Sequence, residues 1–271
     1  MSLAGNTSIF KWFSSFTREN ANFRQSFWKW WYNYLAKKYA KVDEWTCMNY
    51  GYLASPFHGN PKLEFTSKML YEKACAEVEL EGKSVVEIGC GRGGGLNYLH
   101  EQRKLGSAIG VDLSEHNITF CQRRFNRSGL SYLVGSADDM PLADASADVV
   151  INVESSHIYP DFPKFIQEAI RVLKPGGTFC FTDFRSSELF PPILEAVKKS
   201  GFQILVHEDI SKNVRYGLDA DAKNRLDLIQ KHIPSWLTSP VSQFAGVPGS
   251  KFYNDLKSGE TVYFLIQARK P

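Results

Sequence analysis

The chain has 271 residues, of which 43% are hydrophobic and 23% are charged, and its formal net charge is +3. This length predicts one large α/β domain with added segments, or at most two small domains. The apolar content is high enough to bury a full core, so the composition excludes wholesale disorder. A net charge this small does not indicate a nucleic-acid-binding protein.

The five cysteines are scattered and form no Cys-x-x-Cys pair, so neither a zinc site nor a disulfide framework is expected. Reduced thiols in an intracellular protein are the simple interpretation. No apolar run reaches the roughly 18 residues of a membrane span. The N-terminus also lacks the apolar stretch of a signal peptide. We therefore expect a cytoplasmic protein.

Residues 1–60 differ in composition from the rest of the chain. They contain five of the six tryptophans and more basic than acidic residues. Aromatic residues recur at helical spacing between Phe23 and Tyr34, which predicts one or two amphipathic helices. We expect this segment to form an aromatic helical lid. A peripheral contact with an anionic membrane, or a dimerisation arm, are the alternatives.

Residues 61–271 are expected to form the main domain, in which short β-branched runs alternate with helical stretches. The expected strands are Ser84–Ile88, Ala108–Val111, Ser131–Val134, Ala147–Asn152, Thr178–Thr182 and Phe202–Val206, and the helices are Gly94–Arg103, Glu115–Phe125, Phe162–Leu173 and Leu189–Ser200. This alternation predicts a doubly wound, mostly parallel Rossmann-like sheet with helices on both faces. Such sheets bind ligands beyond the carboxyl ends of their strands.

The alternation breaks after the sixth strand. Ala220–His232 and Lys251–Lys257 are expected to be helical, and Glu260–Ala268 is expected to be an antiparallel last strand. Residues 211–259 therefore form an insertion. It either caps the ligand site together with the N-terminal segment or packs at the periphery.

The most informative motif is VVEIGCGRGGG at residues 85–95, which predicts a buried strand, a glycine turn and the start of a helix. Gly89, Gly91 and Gly94 satisfy the dinucleotide pattern GxGxxG, which alone is a weak signal. Glu87 favours S-adenosylmethionine (SAM) over a nicotinamide dinucleotide. A carboxylate at the strand end repels a pyrophosphate and can hold the ammonium group of an amino acid.

Two later loops also follow strand ends. Asp112 ends the second strand, where a carboxylate can accept hydrogen bonds from the hydroxyl groups of a ribose. A helix-capping or turn aspartate is the alternative. Residues 135–142 follow the third strand, where backbone N–H groups and a carboxylate can pair with an adenine edge; ordinary turn chemistry is the alternative.

Four stretches together resemble class I SAM-dependent methyltransferases: EIGCGRGGG (87–95), GSADDMPL (135–142), INVESSHIYP (151–160) and RVLKPGGTF (171–179). Within this class the chain resembles the phthiotriolone and phenolphthiotriolone dimycocerosate methyltransferases, which carry a similar Asn-Val-Glu-x-Ser-His-x-Tyr-Pro stretch and a similar Gly-Val-x-Gly segment, here residues 246–249. It is more distantly similar to ubiquinone, tocopherol and sterol methyltransferases. The resemblance implies a lipid-like or polyketide-like acceptor.

The resemblance also implies which residues contact the cofactor. They are grouped around its methionine portion (Glu87, Gly89, Gly91, Gly93, Asn152 and Val153), its ribose (Asp112) and its adenine (Ser136, Ala137 and Asp138), and two tyrosines cover it (Tyr50 and Tyr52). Cys90 and Leu113 complete the expected cofactor site. The family usually has an aspartate where this chain has Ser136. The serine hydroxyl would make the same hydrogen bond less strongly, and Asp138 or Asp139 are candidates to replace it.

Methyl transfer is a displacement at a sulfonium carbon, so the protein mainly aligns the nucleophile and excludes water. A base is needed when the acceptor is an alcohol or phenol. His157, in the loop after the fourth strand, is the expected base, because imidazole can accept a proton near neutral pH. Glu154 is expected to orient it or to touch the substrate, and a structural histidine is the alternative.

We expect no metal site, and we interpret Asp183 as forming local hydrogen bonds.

The sequence thus predicts an enzyme that methylates a hydroxyl or carboxyl oxygen of a hydrophobic lipid-, polyketide- or quinone-like molecule and leaves S-adenosylhomocysteine. C-methylation of a quinone or sterol-like ring is the alternative reaction. The alternative that is not an enzyme is a non-catalytic SAM-binding protein, which would serve as a partner subunit or a sensor. Nucleic acid is not expected as a substrate, because no Asn/Asp-Pro-Pro-aromatic motif follows the fourth strand. The oligomeric state stays open.

Overall fold

The computed structural model describes residues 42–235 and 238–271. Its strands are β1 (Ser84–Ile88), β2 (Ser107–Asp112), β3 (Leu130–Val134), β4 (Ala147–Val153), β5 (Leu173–Ser186), β6 (Gln203–Asp209) and β7 (Thr261–Arg269). Its helices are α1 (Phe65–Ala74), α2 (Gly94–Gln102), α3 (Glu115–Arg124), α4 (Phe162–Val172), α5 (Phe190–Lys199), α6 (Ser211–His232), α7 (Thr238–Phe244) and α8 (Lys251–Ser258), with a 3-10 turn at Ser156–Ile158. Most of the expected N-terminal lid, residues 1–41, lies outside the described residues.

The strands form one seven-stranded sheet in the order β3-β2-β1-β4-β5-β7-β6. The pairs from β3 to β5 are parallel, whereas β7 runs antiparallel to both β5 and β6. The expected doubly wound sheet with an antiparallel last strand is therefore confirmed. Because the order reverses between β1 and β4, a crevice opens at the carboxyl ends of these two strands.

Two predicted elements begin well before their expected first residues, and the sequence prediction omits α1 and α7. Helix α6 begins at Ser211 rather than Ala220, in spite of the unfavourable Gly217. A Cβ atom at Gly217 would lie 2.9 Å from the backbone nitrogen of Tyr52, so the glycine lets the helix pack directly on that loop. Strand β5 begins at Leu173, which pairs with Ala147 before a register shift in the ladder.

Successive side chains of the central strands point to opposite faces of the sheet, and both faces are buried. On one face, Val149 and Ile151 of β4 pack with α1, α2, α3, α6 and α8. On the other, Val150 packs with α4 and α5 in a cluster that includes Phe165 and Phe181. Both faces are covered, so side chains at the carboxyl ends of β1, β4 and β5 are held between packed helices.

None of the helices in the described ranges is long and apolar enough to cross a membrane. The peripheral membrane contact considered for the N-terminal segment concerns residues outside those ranges.

Phe165 is fully buried, and its ring centroid lies 5.0 Å from that of Tyr159 and 6.0 Å from that of Phe179. We expect Phe165→Ala to lower the free energy of unfolding by about 3–5 kcal/mol, because the change leaves a cavity. Urea denaturation measures this loss. Leu205→Ala is the control, since Leu205 is 42% exposed on β6, and its effect should stay within about 0.5 kcal/mol. Equal losses in both variants would contradict this assignment of the core.

Candidate active site

A cavity of about 310 Å³ lies at the carboxyl ends of β1, β2 and β4. Its walls come from the glycine turn, from the loops after β2, β3 and β4, and from segment 42–50 together with α6 and α7. Twelve of the predicted site residues line it: Tyr50, Gly89, Cys90, Gly91, Asp112, Leu113, Ser136, Ala137, Asp138, Val153, Glu154 and His157. The topology thus brings residues that are far apart in the sequence to one place.

The glycine turn after β1 follows directly from its sequence. Gly89 has a φ of +72°, and a Cβ atom there would lie 2.3 Å from Oγ of Ser155. Only glycine fits both the backbone conformation and the close approach. The neighbouring Cys90 is buried and packs into the core. The turn therefore presents bare backbone to the cavity.

Four predicted cofactor residues do not line the cavity in the described structure: Tyr52, Glu87, Gly93 and Asn152. Tyr52 donates its backbone N–H to Thr66, and its ring packs against the core. The carbonyl of Gly93 instead accepts a hydrogen bond from Tyr132. Local packing thus holds Tyr52 and Gly93 behind the cavity wall, and their contact with the cofactor stays a prediction.

The buried side chain of Asn152 forms hydrogen bonds behind the cavity wall. Its Nδ2 donates to the carbonyl of Ile88 at 2.9 Å, to Oγ of Ser155 at 2.8 Å and to the hydroxyl of Tyr159 at 3.0 Å. This buried amide joins the end of β1 to the loop after β4. Its effect on the glycine turn is therefore one of positioning.

Glu87 lies fully buried beneath the turn. The hydroxyl of Tyr71 donates to its Oε1 at 2.6 Å, and Oε2 has no hydrogen-bond partner in the described part of the chain. Burial raises the pKa of Glu87 to about 8, against the opposing effect of the Tyr71 hydrogen bond. A buried carboxylate oxygen without a partner suits a cationic group of a ligand, because leaving it unsatisfied is costly.

Asp112 is fixed at the end of β2 by three N–H donors. Oδ2 accepts from the backbone of Gly91 at 2.9 Å, while Oδ1 accepts from the backbone of Ser114 at 2.9 Å and from Nδ2 of Asn117 at 3.3 Å. Burial raises its pKa, and these hydrogen bonds oppose the rise. The carboxylate faces the cavity beside the 39% exposed Leu113. This arrangement can accept hydrogen bonds from a diol.

The loop after β3 pairs the serine at position 136 with a carboxylate. The hydroxyl of Ser136 donates to the carboxylate of Asp138, and both residues line the cavity with Ala137 between them. Asp138 therefore supplies a carboxylate to the same wall. The short loop, closed by an isolated bridge between Ser136 and Asp139, makes this possible.

Glu154 has a strained backbone, with a φ of +47°, directly after β4. Its Oε1 accepts hydrogen bonds from the backbone N–H of Tyr50, at 2.6 Å, and from the hydroxyl of Tyr263. Burial raises the pKa of Glu154 to about 8, although both hydrogen bonds lower it. The carboxyl group thus ties the covering segment 42–50 to the sheet.

The expectation that Glu154 orients His157 is wrong, because Asp183 does so. Nδ1 of His157 lies 2.9 Å from Oδ1 of Asp183, and the backbone N–H of His157 donates to Oδ2 at 3.0 Å. Oδ2 also accepts from the hydroxyl of Ser156 at 2.6 Å and lies 3.2 Å from the guanidinium of Arg185. The interpretation of Asp183 as a local hydrogen-bonding residue misses this pairing, although its place in β5, which neighbours β4, indicates it.

The charge state of Asp183 decides which ring nitrogen of His157 is available. Burial by itself raises the pKa of Asp183, but the charges of Arg185 and His157 and the hydrogen bonds outweigh it and hold the pKa well below its ordinary value. The ionised carboxylate accepts the Nδ1 proton, so Nε2 of neutral His157 carries the lone pair. Nε2 has no hydrogen-bond partner among the described residues, and the ring lines the cavity.

Apolar side chains form the other wall of the cavity. Leu228 and Ile229 of α6, Phe244 of α7, Tyr50 and Phe184 belong to this lining, and the hydroxyl of Tyr50 donates to the carbonyl of Phe244 at 3.0 Å. The Phe184 ring centroid lies 4.5 Å from that of His157. In the described ranges no group of three or more His, Cys, Asp or Glu residues could hold a metal ion.

A family model described as a methyltransferase domain matches residues 86–181, which span β1 to β5. A phthiotriol/phenolphthiotriol dimycocerosates methyltransferase of Mycobacterium leprae is 32% identical over 98% of this chain and 95% of its own length. The chain belongs to this methyltransferase family. A fatty-acid O-methyltransferase of Mycolicibacterium smegmatis is 34% identical to it, covering 89% of this chain and 88% of the relative.

Solved structures show the same fold. The [4+2]-cyclase SpnF superposes with a TM-score of 0.68 at 21% identity, covering 89% of this methyltransferase and 93% of the cyclase. Geranyl diphosphate C-methyltransferase from Streptomyces coelicolor A3(2), in complex with S-adenosyl-L-homocysteine, gives a TM-score of 0.65 at 20% identity, covering 92% and 98% of the two chains. At these identities the likeness concerns the fold alone.

The methyltransferase uses SAM as its cofactor. The described residues suit that molecule. Oε2 of Glu87 is an unpaired buried acceptor for an ammonium group, and the fixed carboxylate of Asp112 suits a ribose diol.

We expect Glu154→Gln to flatten the pH dependence of stability. With a folded-state pKa of about 8, Glu154 keeps its proton in the native protein, whereas the unfolded chain loses it near the ordinary pKa. Native stability therefore falls as pH rises from roughly 4.5 to 8, by up to about 1.4 kcal/mol per pH unit for this group. Urea unfolding between pH 5 and 8 measures the slope. The exposed Glu188→Gln is the control and should leave the slope unchanged, and an unchanged slope in Glu154→Gln would contradict the assignment.

Proposed function

We propose that this methyltransferase transfers the methyl group of SAM to an oxygen atom, hydroxyl or carboxyl, of a hydrophobic lipid-like molecule. The observation that carries the proposal is His157, which lines the same cavity as the glycine turn and whose Nε2 has no hydrogen-bond partner among the described residues. The names of two relatives, a dimycocerosates methyltransferase and a fatty-acid O-methyltransferase, support a lipid-like acceptor.

The cofactor is assigned to the β1, β2 and β3 side of the cavity. Glu87 would bind the ammonium group of its methionine portion above the glycine turn, and Asp112 would accept hydrogen bonds from the ribose hydroxyls. Leu113 and Asp138 would hold the adenine by apolar contact and a hydrogen bond. When bound, SAM supplies an electrophilic methyl group, so the chain needs only to position the acceptor and exclude water.

The cover over the site combines two parts of the chain. Segment 42–50 lines the cavity from one side, and residues of the 211–259 insertion line it from the other. Arg225 of α6 joins them, because its guanidinium donates to the carbonyls of Asn49 and Tyr50, each at 3.1 Å. We infer that the insertion is a cap, to which the N-terminal segment contributes, and that the cap shields the reacting groups from water.

His157 would act on the acceptor oxygen. Nε2 would take the proton of an acceptor hydroxyl while Asp183 stabilises the imidazolium that forms. A carboxylate acceptor would need no such base. C-methylation is the rival outcome and would place the new methyl group on carbon.

The affinity for SAM should rise with pH between 6 and 8. Free Glu87 holds a proton below about 8, and binding of an ammonium group needs the carboxylate, so the gain approaches tenfold per pH unit at most. Above roughly pH 8 the amino group of the cofactor loses its own proton, which ends the rise. Calorimetric titration measures this profile. Glu87→Gln should bind more weakly and without the rise, and a variant that keeps the wild-type profile would remove Glu87 from the cofactor site.

His157→Gln should lower kcat roughly 100- to 10,000-fold while its Kd for SAM stays unchanged, because only proton transfer is lost. The acceptors are a panel of long-chain alcohols, acids and alkylphenols, and transfer from methyl-labelled SAM is followed with product NMR. His116→Gln is the matched control, since His116 is exposed on α3 and away from the cavity lining. An oxygen-linked methyl group supports the proposal, whereas a carbon-linked one, or SAM binding without any transfer, contradicts it.

A further inference from the structure

The carboxyl group of Glu154 has one oxygen atom that is bonded and one that is not. Its Oε1 accepts hydrogen bonds from the backbone N–H of Tyr50 at 2.6 Å and from the hydroxyl of Tyr263. Its Oε2 has no hydrogen-bond partner among the described residues. Unlike Oε2 of Glu87, this atom is not fully enclosed by protein, and Glu154 lines the cavity. A ligand in the cavity can therefore reach Oε2.

The surroundings of this carboxyl group favour its protonated form. Both donors to Oε1 are uncharged. Two charged groups act on the carboxyl group in opposite directions, since Asp183 of β5 favours the proton and Arg225 of α6 favours the carboxylate. Burial has the largest effect and raises the pKa of Glu154 to about 8. Because Oε1 already accepts two hydrogen bonds, the proton lies on Oε2 at neutral pH.

Glu154 and His157 belong to the same loop after β4 and are joined by one aromatic cluster. The Phe184 ring centroid lies 4.5 Å from that of His157 and 6.2 Å from that of Tyr263, whose hydroxyl donates to Glu154. Both Glu154 and His157 line the cavity. A molecule bound here would meet two different polar groups, an O–H donor on Glu154 and the lone pair on Nε2 of neutral His157.

We propose that Glu154 donates a hydrogen bond from Oε2 to a second oxygen atom of the acceptor, next to the oxygen atom that is methylated. The inference rests on the proposed function and narrows its acceptor class. That class comprises hydroxyl compounds with a neighbouring ether, carbonyl or hydroxyl oxygen, and carboxyl compounds, whose other carboxyl oxygen takes this place. A carboxylic acid that stays neutral in a site shielded from water is a strong donor. Such a site discriminates against acceptors that leave the donor unpaired.

The experiment compares acceptors with and without the second oxygen atom. One pair is 1-methoxydecan-2-ol and decan-2-ol, and the other is 4-butyl-2-methoxyphenol and 4-butylphenol. A methoxy oxygen accepts hydrogen bonds and donates none, so each pair reports a donor in the protein. Decanoic acid, which carries both oxygen atoms in one group, is the fifth acceptor. Transfer of labelled methyl from SAM gives kcat/KM, and calorimetric titration of the enzyme loaded with S-adenosylhomocysteine gives affinities without turnover.

The wild type should prefer the methoxy member of each pair about tenfold or more at pH 7, because the other member leaves the donor unpaired. The preference should fall above roughly pH 8, by at most about tenfold per pH unit, since Glu154 then loses the proton that it donates.

Two variants separate a donor from a carboxylate. Glu154→Gln should keep the preference at every pH, because the amide oxygen can accept the bonds of Tyr50 and Tyr263 while the amide nitrogen donates. Glu154→Met has no donor and should turn over both members of a pair with equal kcat/KM. A loosened cover would slow both members alike, so the ratio within a pair is the readout. The exposed Glu188→Gln is the control and should behave like the wild type.

The enzyme loaded with SAM gives the strictest test, because a cationic cofactor favours a carboxylate nearby. Loss of the preference in Glu154→Gln as well as in Glu154→Met would show that the carboxylate is needed, and it would overturn the inference. A wild-type preference that does not change above pH 8 would overturn it too. Transfer to oxygen in either case leaves the proposed function standing. SAM binding without transfer to any of the five acceptors would contradict both.

Discussion

Four neighbouring strands each place an acidic side chain near their carboxyl end. The need to satisfy these buried carboxyl groups is the constraint on which the candidate active site depends. Glu87 lies in β1, Asp112 ends β2, Glu154 follows β4 and Asp183 lies near the end of β5. Their carboxyl groups are removed from water to different degrees, and each needs donors or a counter-charge to remain there. The surrounding loops supply those donors, and these hydrogen bonds fix the conformation of the loops.

The carboxyl groups at the ends of these strands differ in protonation state. Glu87 and Glu154 lack a direct cationic partner in the described structure, so burial raises the pKa of each to about 8. Asp183 is equally removed from solvent, but Arg185 and His157 hold its pKa well below the ordinary value. The first two can gain or lose a proton when a charged ligand binds, whereas Asp183 stays ionised and fixes the orientation of an imidazole.

Acidic side chains, one of them at a strand end, also hold segment 42–50 in place. Glu154 accepts the backbone N–H of Tyr50, and Glu64 accepts the backbone N–H of Cys47 at 2.8 Å and the hydroxyl of Thr46 at 2.7 Å. The guanidinium of Arg225 also donates hydrogen bonds to the carbonyls of Asn49 and Tyr50 in this segment. Glu64 and Glu154 of the cavity lining thus also hold segment 42–50 in place.

The sequence by itself determined the fold and the glycine turn, because both arise from local patterns. Alternating apolar runs predict the parallel sheet, and only glycine fits position 89. The tertiary structure alone decided that Asp183, rather than Glu154, orients His157. It also placed Tyr52 outside the cavity lining. These outcomes depend on the order of strands in the sheet and on packing between distant segments, since side chains compete for the same donors only once the chain has folded.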